Sequence, residues 1–170
     1  MQARRVDVVQ YGWNMFDRRM QAEVFPYCEE RSVGVMAYGS LAYGLLAGAF
    51  TQETTFGADD WRSRAPNMGA IKLFESLFGA DSFPRNIRAV GELKELAASH
   101  GKSLAQLALR WTTSNPVIST ALVGCRNVAE VEDNVGAIGW TLGDADLTEI
   151  DAIFERNGAV TTPDYWIEEA

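Results

Sequence analysis

Apolar and polar positions along the 170 residues change period in a regular order. Val6 to Tyr11 is a short β-branched run and predicts a strand buried on both faces. From Arg19 to Arg31, Met20, Val24, Tyr27 and Cys28 recur at three- and four-residue spacing, the period of an amphipathic helix. Ser32 to Tyr38 (SVGVMAY) is strand-like again and runs into AYGSLAYGLLAG, Ala37 to Gly48, with glycines at 39, 44 and 48. Between Thr51 and Asn86 the periodicity loosens. Gly57, Asp59, Asp60, Arg62, Arg64, Pro66 and Asn67 predict a long surface excursion, functional or mobile, with a short helix around Ala70 to Phe78.

Asn86 to Ser99 predicts a helix with Ile87, Val90, Leu93, Leu96 and Ala97 on one side, stopped at Gly101. Ser103 caps a second helix carrying Leu104, Leu107, Ala108 and Trp111, and Asn115-Pro116 ends it. Ser119 to Val123 reads as a third strand, closed by Gly124. Asn127 is the expected N-cap of a helix from Val128 through Ala137. Asp144 or Asp146 opens a last helix before the polar tail TTPDYWIEEA. Parallel strands need helix-length crossovers, and right-handed connections stack those helices outside the sheet, so the order predicts an α/β fold. The length falls short of the roughly 250 residues of a complete eight-stranded α/β barrel.

Composition narrows the partners. With 23 acidic against 15 basic residues, a net charge of -8 and no long basic run, the chain is not expected to bind nucleic acid. No window approaches the ~18 consecutive apolar residues of a membrane span, so no membrane partner is expected. Cys28 and Cys125 lie far apart and outside any C-x-x-C pattern, which predicts neither a zinc site nor a disulfide framework and suits a reduced, cytoplasmic setting. MQARRVDVVQ lacks the apolar centre of a signal peptide and reads as a chain entering a strand.

Catalytic groups are scarce. His100 is the only histidine and falls at a helix C-terminus beside Gly101, where a cation complements the dipole. One histidine builds no Ser-His-Asp, Cys-His or multi-histidine zinc site. Asp59-Asp60 and Glu168-Glu169 read as solvated surface, and no catalytic residue or metal ligand is assigned. VGCRNVAEVEDN sets a strand end, Gly124 and Arg126 before a helix start, where free backbone N–H groups and a guanidinium suit a phosphate or serve ordinary capping. The glycine-rich stretch is equally two-sided: a well-packed tight turn, or backbone bared for a ligand.

QYGWNMFDRRMQAEVFPYCEERSVGVMAYGSLAYGLLAG resembles the aldo-keto reductase family's Q-x-x-Y-N-x-x-x-R followed by P-x-C-x-x-x-G-I-G-V-x-A-Y-S-P-L-A-x-G-L-L-T-G. ADDWRSR is similar to the loop after the seventh strand of bacterial members, LAQLALRW to A-Q-L-A-L-A-W, and ALVGCRNVAEVEDNVGAI to I-P-G-A-R-x-x-x-Q-x-x-E-N-x-x-A. These matches run in family order over nearly the whole chain. The resemblance implies a partial (β/α)8 TIM barrel: residues 1–170 as a single C-terminal segment, strands six to eight, with 51–86 as a long loop excursion. It further implies NADP(H)-dependent hydride transfer to a small aldehyde or ketone.

Carried over residue by residue, the resemblance implies that Gln10 hydrogen-bonds the nicotinamide carboxamide and that Tyr38 stacks on the ring. Gly39, Leu41 and Gly44 lie along the pyrophosphate, Gly124 and Arg126 meet the adenosine 2'-phosphate, and Glu130 and Asn134 stand near the adenosine end. The chain departs from the family pattern in three places. Gly39-Ser40 replaces Ser-Pro, Tyr43 is bulky, and Glu130 puts a carboxylate where it repels a 2'-phosphate and favours NAD(H) as the alternative cofactor. The family's Asp, Tyr, Lys and His tetrad, on strands two to four, has no counterpart here, because this chain begins at what corresponds to strand six. The expectation is therefore a cofactor cradle inactive alone. The alternatives are a non-catalytic nucleotide-binding or association module, joined to a missing N-terminal half or to itself, and a degenerate product.

Overall fold

A computed structural model describes residues 4–64 and 72–162. Three strands, β1 Val8–Gly12, β2 Gly34–Tyr38 and β3 Ile118–Ala121, form one parallel sheet in the order β1-β2-β3. β1 and β2 pair in strict register from Val8 against Gly34 to Gly12 against Tyr38, whereas β3 joins β2 with a shift between Val35 and Met36. The chain is thus α/β with the parallel order expected of a barrel segment. β1 starts two residues later than its apolar run, since the run reports apolarity and the strand is bounded by its pairing with β2.

The expected burial of the first strand on both faces is corrected. Val35 and Ala37 are fully buried against the helices, while Val8 is 49% exposed and Gln10 is exposed. The crossovers stack helices on one side only, so the other face of the sheet stays open. A parallel sheet is ordinarily covered on both faces. α1 is Val24–Glu30, shorter than the Arg19 to Arg31 pattern: a start at Val24 keeps Pro26 within the first turn, where its missing N–H costs nothing. The next helices are α2 Lys72–Phe78 and α3 Ser82–Ser99, and α3 begins four residues before Asn86. Asn86 is buried inside α3, and its amide donates to the carbonyls of Ser76 (2.8 Å) and Leu77 (3.0 Å), closing the end of α2.

Local signals hold well elsewhere. Gly101 has φ +65 after α3, and Ser103 and Gln106 form a reciprocal capping box on α4 Leu104–Ser114. Asn127 Oδ1 accepts the Glu130 N–H (3.0 Å) at the start of α5 Val128–Val135. Asp146 accepts the Gly143 N–H (2.8 Å) at the start of α6 Asp144–Asn157. His100 is the C-cap residue of α3, and its ring nitrogen lies 2.9 Å from the Asp146 carboxylate, joining two helix ends. The core gathers Trp13, stacked on Trp111 at 4.8 Å, with Phe16, Leu45, Leu93 and Ile150.

The stretch after Thr51 is more ordered than its sequence suggests. A 3-10 turn, Trp61–Ser63, and α2 bring Phe50, Phe56, Trp61, Phe74, Phe78 and Phe83 into one set of ring contacts, edge-to-face at 5.0–5.8 Å and tilted at 6.2–6.4 Å where Phe83 meets Phe78 and Phe50. The predicted positions Pro66, Asn67 and Ala70, and the tail from Pro163 with Tyr165, Glu168 and Glu169, lie outside the described residues. Among the described residues no helix is long and apolar enough to cross a membrane, and no group of three or more His, Cys, Asp or Glu could hold a metal.

Two margins of the segment stay bare. Beside β1, the exposed Val6 and Tyr27 border a groove of about 900 Å³ that also takes in Val9, Tyr11 and Val24, with Arg4, Arg5 and Arg31 among its lining residues. At the far margin α5 has no buried residue, and Val128, Val131, Val135 and Ile138 form an exposed apolar stripe, Ile138 at 75%.

Candidate functional site

The sequence-assigned residues gather at the carboxyl ends of the three parallel strands, where α/β folds bind ligands. Register puts Gln10 beside Met36 and Gly12 beside Tyr38, so Gln10 and Tyr38 project from the same open face, one pleat apart. Gly12 lies beneath Tyr38: a Cβ there would meet the Tyr38 ring at 3.5 Å and Asp17 Oδ2 at 2.9 Å. Asp17 is buried and is held by two short bonds from Arg19, 2.7 Å from Nε and 2.6 Å from Nη2. The open face therefore offers an aromatic ring and an amide side chain over a glycine floor, backed by a buried ion pair. Such a slot suits a flat ring bearing a carboxamide.

The glycine-rich turn after β2 answers to both of its readings. Gly39, Gly44 and Gly48 all have positive φ (66, 109 and 77), which glycine adopts without the Cβ penalty. Their Cβ directions are filled by the chain itself: Tyr43 at 3.4 Å from Gly39, Phe50 at 3.1 Å from Gly44 and Lys94 at 2.9 Å from Gly48. Packing demands the small residues, and the left-handed backbone they permit shapes the turn. Ala42 and Tyr43 also have positive φ (46 and 56), a conformation costing about 1–2 kcal/mol for a residue with a side chain. The Leu41 carbonyl holds the turn by accepting the N–H groups of Gly44 (3.0 Å) and Leu46 (3.1 Å).

Ser40, the first departure from the family pattern, is buried, and its hydroxyl points at the carbonyls of Ala37 (3.2 Å) and Leu122 (3.4 Å). It ties the turn after β2 to the chain leaving β3. Asn14, also buried, donates to the Gly39 carbonyl (2.9 Å) and so ties the turn to the segment after β1. Sequence reading missed Gly12, Asn14 and Ser40 as site builders. The family pattern marks Asn14 by its N-x-x-x-R spacing and Ser40 as a departure from Ser-Pro, and nothing marks Gly12.

At the far end of the site Gly124 is exposed and a Cβ there would meet nothing within 4 Å, leaving room for an approaching group. The Arg126 side chain is 90% exposed and makes two bonds to Glu130 Oε1, at 3.0 and 2.7 Å, while its own N–H donates to Glu130 Oε2 (2.8 Å). The guanidinium and these N–H bonds hold the Glu130 carboxyl below its ordinary range, and Glu130 raises Arg126 in return. Both anion-accepting groups at this corner are thus engaged by an internal carboxylate. Asn134, one turn after Glu130, donates to Cys125 Sγ (3.3 Å) and lines the same strip.

The chain resembles known proteins along this whole arrangement. The Aldo/keto reductase family pattern matches residues 2–155. The chain is 35% identical over 149 residues to aldo-keto reductase YhdN of Bacillus subtilis, covering 87% of this chain and 42% of that protein. It is 26% identical over 148 residues to an NADH-specific methylglyoxal reductase of Escherichia coli, covering 87% and 42%. A glycerol dehydrogenase structure from Gluconobacter oxydans superposes with a TM-score of 0.78 at 31% identity, covering 96% of this chain and 46% of that one. The chain spans less than half the length of these relatives. A parallel sheet with its site at the strand ends, read with a family match across most of the sequence, means that this chain belongs to the aldo/keto reductase family.

Proposed function

We propose that these 170 residues form the cofactor-holding part of a nicotinamide-dependent oxidoreductase that reduces a small aldehyde or ketone. The observation that carries this reading is the shared open face of Gln10 and Tyr38 at the strand ends, continued by the left-handed turn and by Gly124 to Asn134. A nicotinamide dinucleotide held here would supply the hydride for a carbonyl carbon. Gln10 would hold the carboxamide, Tyr38 would offer its ring to the nicotinamide, Gly39, Leu41 and Gly44 would lie along the pyrophosphate, and Gly124, Arg126, Glu130 and Asn134 would take the adenosine end. The proton comes from a group outside this sequence, which holds no recognisable Asp-Tyr-Lys-His set. The chain by itself is therefore silent as a reductase.

The two bare margins support completion by the strands that would precede β1, whose cover would seat in the groove at Arg4 to Val33 and on the α5 stripe. A second copy of this chain is the alternative cover. The cofactor is NADP(H) if Arg126 leaves Glu130 to meet a 2'-phosphate. The Glu130–Arg126 pair favours a second reading, NAD(H), because a carboxylate accepts a ribose hydroxyl and repels a phosphate.

Fluorescence titration with NADPH and NADH tests the proposal, using the wild-type chain, Gln10→Ala and Arg126→Ala. Gln10 is exposed and its loss leaves the fold intact, so saturable binding weakened by Gln10→Ala is the expected result. Failure of both nucleotides to bind, to the chain alone and with the N-terminal half of a relative supplied in trans, would overturn it.

A further inference from the structure

Ala42, Tyr43 and Gly44 are three consecutive left-handed residues, and two of them carry side chains that disfavour the conformation. Such a backbone persists only where surrounding contacts over-determine it. The contacts come from a segment far along the chain. Arg62 donates to the Tyr43 carbonyl from Nε (3.0 Å) and Nη2 (2.9 Å), and its Nη1 lies 3.0 Å from each Asp60 carboxylate oxygen. Asp60 also accepts the Arg62 backbone N–H (2.9 Å). The guanidinium sits over the Trp61, Phe50 and Phe56 rings at 5.1–5.9 Å, and the Arg62 side chain is only 24% exposed. The Tyr43 ring, packed on Trp61 and Phe74, in turn covers Gly39.

We infer that Arg62 is a positioning residue: its fork grips the Tyr43 carbonyl, fixes the left-handed turn, and through it sets the backbone of Gly39 to Gly44 against which the cofactor's pyrophosphate lies. The inference rests on the cofactor reading above for its ligand, and on the observed grip alone for its mechanics. Arg62 makes no nucleotide contact in this account. An arginine serves here where lysine does not, because two parallel N–H groups converge on one oxygen while the third nitrogen takes the carboxylate. The long excursion after Thr51 thereby has a task at the site, namely to hold the turn from outside.

The test combines Arg62→Met, Arg62→Lys and the double variant Arg62→Met with Ala42→Gly. Hydrogen exchange reads the mechanics without any ligand. Arg62→Met is expected to speed exchange of the Gly44 and Leu46 amides about tenfold or more while the amides of α4 keep their protection. Unchanged protection of Gly44 and Leu46 would overturn the grip. Calorimetric titration with NADH and NADPH reads the consequence. Arg62→Met and Arg62→Lys are expected to weaken the better ligand about tenfold, and Ala42→Gly, which removes one disfavoured left-handed residue, restores most of that loss. Weakening that Ala42→Gly does not rescue would mean direct contact by Arg62 and would overturn positioning. If the wild-type chain binds neither nucleotide, with or without a supplied N-terminal half, the cofactor reading fails and so does the role of Arg62 in it, whereas the exchange result still decides the grip.

Discussion

The two ends of the candidate site are built differently. The turn after β2 is enclosed: Leu45 and Leu46 are fully buried, Ser40 and Asn14 bond it to both neighbouring strand ends, and Arg62 grips it from outside. The corner after β3 is open: Arg126 stands in solvent, a Cβ on Gly124 would meet nothing within 4 Å among the described residues, and α5 buries no residue. The first end is preorganised by packing. The second is held by one ion pair and a side-chain cap, and such exposed pairs contribute little to stability. The part of the site that would meet an invariant pyrophosphate is rigid, and the part that would discriminate a 2'-phosphate is adjustable.

Substitutions at matched glycines sharpen that contrast most. Gly44→Ala forces a side chain into φ +109 with Phe50 at 3.1 Å and is expected to cost about 2–4 kcal/mol, read as a fall in Tm. Gly124→Ala meets open space without positive φ and is expected to stay within about 0.5 kcal/mol. Equal losses at the two positions would erase the distinction. The next effect is on selectivity. Glu130→Gln releases Arg126 from its ion pair and is expected to strengthen NADPH binding about tenfold while NADH changes little, measured by titration at constant salt.

Stability against pH gives the smallest effect. Bonds from Asn157 and Arg156 hold the Glu92 carboxyl below its ordinary range, and the Gly143 N–H does the same for Asp146, with His100 adding to it. A depressed folded-state value means stability present above the unfolded carboxylate range and lost as pH falls through the folded one. Tm is expected to fall on acidification from pH ~6 to ~3, and Glu92→Gln is expected to flatten that slope by less than ~1 kcal/mol, because the group is partly exposed. The groups involved join α3 to α6, away from the site, so nucleotide binding should be indifferent to Glu92→Gln.

Much of the molecule was legible in its sequence because much of it is local. Ser103 with Gln106, Asn127 three residues before Glu130, and Gly101 after α3 act through bonds spanning a few residues, and each performs as its pattern predicts. Gln10 and Tyr38 are singled out only through family resemblance, since nothing in their own neighbourhoods distinguishes them from core, whereas the strand end before a helix start already marks Arg126 as either a phosphate contact or part of a cap. Arg62, within ADDWRSR, reads along the chain as loop polarity, because its partner Tyr43 lies nineteen residues away. Gly12 gave no signal: its reason is the Tyr38 ring from the next strand.

By itself the sequence determined the alternation of strands and helices, the caps, the left-handed stops and, through its ordered motifs, the family. These follow from backbone sterics and hydrogen bonds that close within a turn or two of chain. Tertiary structure alone decided which face of the sheet stays open, that α1 starts late enough to put Pro26 in its first turn, that Asn86 sits inside a helix rather than at its start, and that aromatic contacts tie Phe50, Phe56 and Trp61 to α2 and α3. It also decided that Glu130 occupies Arg126 and that Arg62 holds Tyr43. The physical reason is common to all of them. Each depends on which distant surfaces meet, and apolar burial and charge pairing act on proximity in space, to which the order of residues along the chain is only an indirect guide.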